Sequence, residues 1–136
     1  MNRPYIVLTV MVVMVGAPLF AAHEALAEVF TVTAGNDALL GTDGDDYLKG
    51  RGGDDYFNGG GGDDTIEGGS GDDEIFPGEG DKVYAGGGND LIYARDTDGE
   101  DYIDCGAGFD RVETIHRDDK TLGNCERALG PRQGDI

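Results

Sequence analysis

Two consecutive nine-residue units decide the fold: residues 59–67 read GGGGDDTIE and residues 68–76 read GGSGDDEIF. Each unit places four small turn residues and an Asp pair before an isolated apolar residue, Ile66 or Ile75. Such a unit is too short for a helix, but it accommodates a turn of about six residues and a strand of about three. Glycine suits the left-handed and close-approach backbone positions of the turn. The two units therefore predict a tandem turn–strand repeat.

The repeat continues in both directions along the chain. An Asp followed two residues later by an apolar residue recurs, mostly at nine-residue steps, at Asp37, Asp46, Asp55, Asp64, Asp73, Asp81, Asp90, Asp101 and Asp110. The apolar partners are Leu39, Leu48, Phe57, Ile66, Ile75, Val83, Ile92, Ile103 and Val112. A glycine stands two residues before each Asp except Asp81, where Glu79 takes its place. Compositional bias alone does not produce a column this regular.

The period predicts an all-β fold, a parallel β-roll over residues 28–113. Because side chains alternate along a strand, the apolar residue points inward and its neighbours point outward. Two units make one coil, so the strands of odd and even units stack into two parallel sheets. One apolar residue per unit is a thin core, which cannot by itself offset the ordering of a glycine-rich chain. The turn carboxylates of stacked coils also repel one another.

These units resemble the RTX, or haemolysin-type, calcium-binding nonapeptide repeat. The match is strong over residues 41–76 and 86–94. The resemblance implies Ca²⁺ between stacked turns on both edges of the roll, bound by Asp carboxylates and turn carbonyls. By column, the implied metal ligands are Asp37, Asp55, Asp73 and Asp90 on one edge, and Asp46, Asp64 and Asp81 on the other. Hard oxygen ligands suit Ca²⁺ better than Mg²⁺, and zinc would need His or Cys.

Alternatives to calcium binding remain at every position of the Asp column. Asp often caps turns without binding a metal. The unit before Asp81 is one residue short, which leaves its site in doubt. Asp101 and Asp110 follow an insertion and could be structural turn residues.

Charge restricts the partners of this chain. The sequence holds 28 Asp and Glu against 10 Lys and Arg, a net charge of −18. Phosphate backbones would repel such a chain, so nucleic acid is excluded as a partner. High charge with low hydrophobicity is typical of disorder, a balance that cations could change.

The first 27 residues have the pattern of a secretory signal peptide. Arg3 precedes an apolar run over residues 6–15, and Ala25-Leu26-Ala27 supplies small residues for cleavage after Ala27. The run is shorter than the roughly 20 residues of a membrane span, although an uncleaved anchor is the alternative. We expect a secreted, extracellular protein with no stable membrane span after cleavage.

The C-terminal part carries both cysteines. An even count in an exported chain favours a disulfide between Cys105 and Cys125, with free thiols or an intermolecular bridge as alternatives. Val112, Leu122 and Leu129 can close the last coil. Residues 114–136 are therefore predicted to form a capping segment.

No catalytic residues are predicted, because the sequence contains neither His-Glu-x-x-His nor Gly-x-Ser-x-Gly. The leading hypothesis is a non-enzymatic, extracellular Ca²⁺-binding repeat protein that folds when it binds the ion. The alternative is a calcium-dependent carbohydrate or cell-surface adhesion module. In that case polysaccharide would stack on the outward tyrosines Tyr47, Tyr56, Tyr84, Tyr93 and Tyr102.

Overall fold

The computed structural model describes residues 29–94, 99–114, 120–122 and 125–129, and these residues form an all-β solenoid. Its strands are β1 Val29–Thr31, β2 Ala38–Leu40, β3 Tyr47–Lys49, β4 Tyr56–Asn58, β5 Thr65–Ser70, β6 Glu74–Phe76, β7 Lys82–Gly87, β8 Leu91–Ala94, β9 Tyr102–Asp104, β10 Asp110–Thr114, β11 Lys120–Leu122 and β12 Cys125–Leu129. Over these ranges no helix is long and apolar enough to cross a membrane.

The strands form two parallel sheets, as the repeat predicts. The odd strands stack in the order β1-β3-β5-β7-β9-β11 and the even strands in the order β2-β4-β6-β8-β10-β12. Equivalent repeat positions pair in register, so that Leu48 lies beside Ile66 and Phe57 beside Ile75. The short unit before Asp81 keeps this register, since Ile66 still pairs with Val83. The missing residue is therefore absorbed in the turn.

A single file of buried side chains fills the space between the sheets. Its members are the nine predicted apolar residues, Leu39, Leu48, Phe57, Ile66, Ile75, Val83, Ile92, Ile103 and Val112. Ala85, Ala94 and Cys105 join them two residues after the apolar position, where Gly50, Gly59 and Gly68 stand in earlier units. The core is consequently fuller towards the C-terminal end than the sequence pattern predicts.

Side chains at both ends pack on this core. Val32 lies partly buried against the first coil, whereas Val29 is 72% exposed. At the other end a disulfide joins Cys105 to Cys125, with the two Cα atoms 5.5 Å apart. This bond connects the end of β9 to the start of β12 and thereby links the two sheets. The predicted disulfide is confirmed.

The two predicted terminal segments differ in how much of each the structure describes. The signal peptide, residues 1–27, lies outside the described residues. Within residues 114–136, the strands β11 and β12 add the last described strand to each sheet. The boundary of the capping segment stays a prediction.

Candidate metal centre

The Asp of each repeat lies at the point where its turn enters a strand, and stacking brings these residues into two rows, one on each edge of the roll. We call the whole set the inner Asp column. On one edge it contains Asp37, Asp55, Asp73, Asp90 and Asp110, and on the other Asp46, Asp64, Asp81 and Asp101. Asp37 is half-buried, and the others are at most 3% exposed. The structure therefore assembles the two groupings that the repeat register predicts, and it adds Asp101 and Asp110 to them.

From Asp55 onward, one carboxylate oxygen of each inner Asp accepts a hydrogen bond from the preceding coil. The backbone N–H of Asp46 donates to Asp64 Oδ1 at 2.8 Å, and the N–H of Asp55 donates to Asp73 Oδ1 at 2.9 Å. The shortened unit keeps the pattern, since the N–H of Asp64 donates to Asp81 Oδ1 at 2.7 Å. These bonds fix the orientation of the carboxylates along both edges.

The second carboxylate oxygen has no donor over much of the roll. Within the described residues, Oδ2 is buried without a hydrogen-bond partner in Asp55, Asp64, Asp73, Asp81, Asp90 and Asp110. A buried polar atom left in this way costs about 1–3 kcal/mol, and more when it is charged. Native proteins rarely leave such atoms unsatisfied, so a repeated set of them indicates a missing partner.

Turn carbonyls of the following coil converge on the same space as these oxygens. A Cβ atom on Gly68 would lie 2.4 Å from both Asp73 Oδ2 and the Ala85 carbonyl oxygen. A Cβ on Gly59 would lie 2.4 Å from Asp64 Oδ2 and 2.1 Å from the Pro77 carbonyl oxygen. Glycine keeps this space open, and the Asp oxygen that faces it beside the carbonyl has no hydrogen-bond donor, so a cation would fit there. Pro77, which departs from the glycine pattern, still supplies its carbonyl.

The chemistry of the donor set fits Ca²⁺. In the described part of the chain, no three His, Cys, Asp or Glu side chains group closely enough to hold a metal by themselves. A metal ion at these edges would need backbone carbonyls for a large share of its ligands. Ca²⁺ accepts six to eight such oxygens in flexible geometry at about 2.3–2.6 Å, whereas Mg²⁺ requires a tighter octahedron.

Burial makes these carboxylates hard to ionise without a counter-charge. It raises the pKa of Asp55, Asp64 and Asp90 to about 6, and that of Asp73 and Asp81 to about 7. Neighbouring carboxylates of the stack raise the pKa values further, while the backbone hydrogen bond to each Asp works in the opposite direction. A bound divalent cation would reverse the balance by stabilising the ionised form.

A second column of side chains was given no role by the sequence analysis. Immediately before six of the nine inner Asp residues stands an Asn or Asp, and we call these six the outer Asx column: Asn36, Asp45, Asp54, Asp63, Asp72 and Asn89. These residues are exposed, and five of the side chains accept a hydrogen bond from the following coil: Asn36, Asp45, Asp54, Asp72 and Asn89. Asp45 Oδ1 accepts from the N–H of Asp63, and Asn36 Oδ1 from the N–H of Asp54, both at 2.9 Å. Because only an acceptor is needed, both Asn and Asp occur there, and this mixture of the two residue types was the available signal.

The outward aromatic residues pack on one another along the roll. Phe76 stacks on Tyr93 with ring centroids 4.6 Å apart, and Tyr56 lies against the other side of Phe76 at 5.4 Å. Tyr84 and Tyr102 form a tilted pair at 6.0 Å. This packing engages ring surface that a sugar would need, so it gives no support to the carbohydrate alternative, which stays a prediction.

The stacked parallel coils define a parallel β-solenoid whose two edges are lined with oxygen atoms. Comparison with known families agrees: the model of the RTX calcium-binding nonapeptide repeat matches residues 31–66, 56–81 and 80–112, with four copies. The chain belongs to this family. A search of curated proteins finds no match. The family resemblance inferred from residues 59–76 is thus confirmed.

Proposed function

We propose that this chain is an extracellular protein whose roll forms as Ca²⁺ occupies the oxygen-lined turns. The observation that carries the proposal is the convergence of a buried, donor-free Asp Oδ2 with a carbonyl oxygen of the next coil, seen at Asp64 and Asp73. Membership of a calcium-binding repeat family supports Ca²⁺ as the ion. Asp55, Asp64, Asp73, Asp81 and Asp90 are the proposed side-chain ligands, with Asp110 added from its equivalent environment.

Calcium would supply the stability that the core lacks. The core receives one or two apolar side chains per repeat, and the chain carries a net charge of −18. Ions bound only by the folded form shift the equilibrium towards it by mass action. Binding and folding would then be one event, with the ion neutralising carboxylates that otherwise repel across successive coils.

Three features support an extracellular location. The N-terminal pattern, with cleavage after Ala27, is typical of secretory signals. The Cys105–Cys125 disulfide belongs to an oxidising compartment. Extracellular calcium modules bind in the range of about 10⁻⁴ to 10⁻³ M, which weak sites with many backbone ligands would suit. The repeat family and the solenoid fold are those of structural calcium-binding modules, so no catalytic role is proposed.

The test is far-ultraviolet circular dichroism of the purified protein during titration with Ca²⁺, with Mg²⁺ as the ion control. We expect a cooperative transition to β-structure with Ca²⁺ alone. Asp64→Asn should raise the Ca²⁺ concentration at the midpoint, whereas Asp63→Asn is the matched control, because it removes the same charge from an exposed neighbour. A β spectrum that is already complete without Ca²⁺ and does not change on its addition would refute the proposal.

A further inference from the structure

In the first coil of the roll the inner Asp residues are bonded differently from Asp55, Asp64, Asp73, Asp81, Asp90 and Asp110. The Thr42 hydroxyl donates to Asp46 Oδ2 at 2.9 Å, and the Thr42 backbone N–H donates to the same atom. Thr33 does the same for Asp37, with its hydroxyl at 2.8 Å and its N–H at 3.1 Å from Oδ2. The oxygen that lacks a donor at Asp55 and Asp64 therefore accepts two hydrogen bonds at Asp37 and at Asp46.

The backbone at the threonine position explains the difference. In the turns before Asp55, Asp64 and Asp73 the residue four before the Asp has a left-handed conformation, with φ of 73° at Arg51, 99° at Gly60 and 112° at Gly69. In the short turn before Asp81 the left-handed residue is Gly78, three before the Asp. Thr33 and Thr42 do not adopt it. Arg51 is the only non-glycine residue of the described ranges with positive φ, a conformation unfavourable for a side-chain-bearing residue. The left-handed turn is thus kept at Arg51 although its side chain disfavours that conformation, whereas the turns at Thr33 and Thr42 are not left-handed.

The threonine turns present the wrong charge to a metal ion. Both the N–H and the O–H of Thr42 direct hydrogen atoms at Asp46 Oδ2, the oxygen that would face the ion. The same hydroxyl accepts a hydrogen bond from the N–H of Gly44 at 3.2 Å, and Thr33 accepts one from Gly35 at 3.3 Å. The hydroxyl is thereby held in place, and its positive end occupies the ligand side of the carboxylate.

We infer that Thr33 and Thr42 close the first coil in place of Ca²⁺, so that the cation sites begin with Asp55 and Asp64. This inference rests on the proposed function and refines it by assigning two of the sequence-predicted ligands, Asp37 and Asp46, to threonine instead. The N-terminal coil is then a cation-independent end of the roll.

Counting bound ions by equilibrium dialysis with radioactive Ca²⁺ tests the assignment. Asp46 and Asp64 lie on the same edge in successive coils, so their Asn variants form a matched pair. Asp64→Asn should bind one ion fewer than the wild type. Asp46→Asn should keep the wild-type number, since its amide oxygen can still accept from Thr42. Loss of an ion in Asp46→Asn would overturn the inference.

A gain of binding gives a second, independent test. Thr42→Gly removes the hydroxyl and permits the left-handed turn seen at Gly60, so it should add one ion per chain. Combining it with Asp46→Asn should abolish the added site. If Thr42→Gly folds and gains no ion, threonine is not what excludes the cation and the inference fails. A wild-type protein that binds no Ca²⁺ would instead refute the proposed function itself, and the inference with it.

Discussion

Replacing Gly59 by alanine, with Gly61→Ala as its control, probes the space between the converging oxygens. Both glycines belong to the turn over residues 59–62, and neither has a left-handed φ, so backbone strain does not distinguish them. A Cβ on Gly59 would lie 2.1 Å from the Pro77 carbonyl oxygen and 2.4 Å from Asp64 Oδ2. A Cβ on Gly61 meets nothing closer than the Asp43 Cα atom at 3.7 Å.

The two substitutions should differ by several kcal/mol. Overpacking at Gly59 costs about 1–3 kcal/mol, since two coils must move apart. The methyl group also fills the proposed ion space, and one site contributes about 2.7 kcal/mol at a Ca²⁺ concentration one hundred times its Kd. Gly59→Ala should therefore lose about 4–6 kcal/mol under these conditions. Gly61→Ala should change stability by less than about 1 kcal/mol, and it can stabilise by restricting the unfolded chain.

Urea unfolding at two saturating Ca²⁺ concentrations, tenfold apart, separates the steric cost from the loss of the ion. Each ion bound only to the folded state adds about 1.4 kcal/mol to the unfolding free energy per tenfold rise in free Ca²⁺. Gly59→Ala should show an increment smaller than that of wild type by about this amount, and Gly61→Ala an unchanged one. A destabilised Gly59→Ala variant with the wild-type increment would mean that no ion lies beside Asp64.

Three further outcomes follow from the same geometry. Asp64→Asn keeps an oxygen that can accept from the Asp46 N–H and turns an NH₂ group towards the Pro77 carbonyl. In a calcium chelator this variant should therefore be more stable than wild type, as measured by urea unfolding. Equal stability would count against the convergence of Asp64 Oδ2 and the Pro77 carbonyl oxygen. The raised carboxylate pKa values, about 6 for Asp64 and about 7 for Asp73 and Asp81, mean that the calcium-free roll binds more protons than the unfolded chain. The stability of the calcium-free roll should thus be greatest below about pH 4 and be lost as the pH rises through 6–7. Circular dichroism at successive pH values measures this change, and a β signal that grew with rising pH would contradict the prediction. Reduction of the Cys105–Cys125 bond, which closes a 20-residue separation, should lower the unfolding free energy in Ca²⁺ by about 3 kcal/mol, and an unchanged urea midpoint would show that the last coil does not need it.

The sequence predicted the fold well because a single nine-residue period controls it. Ile66 and Ile75 belong to different sheets, and each pairs with the residue one coil away, which the period alone specifies. The grouping of the inner Asp residues on two edges follows from the same register. Their spacing, however, is identical in a threonine-closed turn and in an open one. The bonding of Asp46 was missed because it depends on a different position, Thr42, and on a backbone conformation that the Asp pattern does not encode.

The inner Asp column and the outer Asx column need different surroundings, and this difference explains which residue types occur in the turns. The inner Asp column is buried, so its charge requires a cation or a hydrogen-bond donor, and Asn there would replace the ion by an amide. The outer Asx column is exposed, so water solvates its charge and only one acceptor oxygen is needed for the next coil. For this reason Asn36 and Asn89 occur naturally in the outer column, whereas every inner position is Asp. Neighbouring carboxylates such as Asp63 and Asp64 therefore carry the same formal charge but contribute to the roll by different physical means.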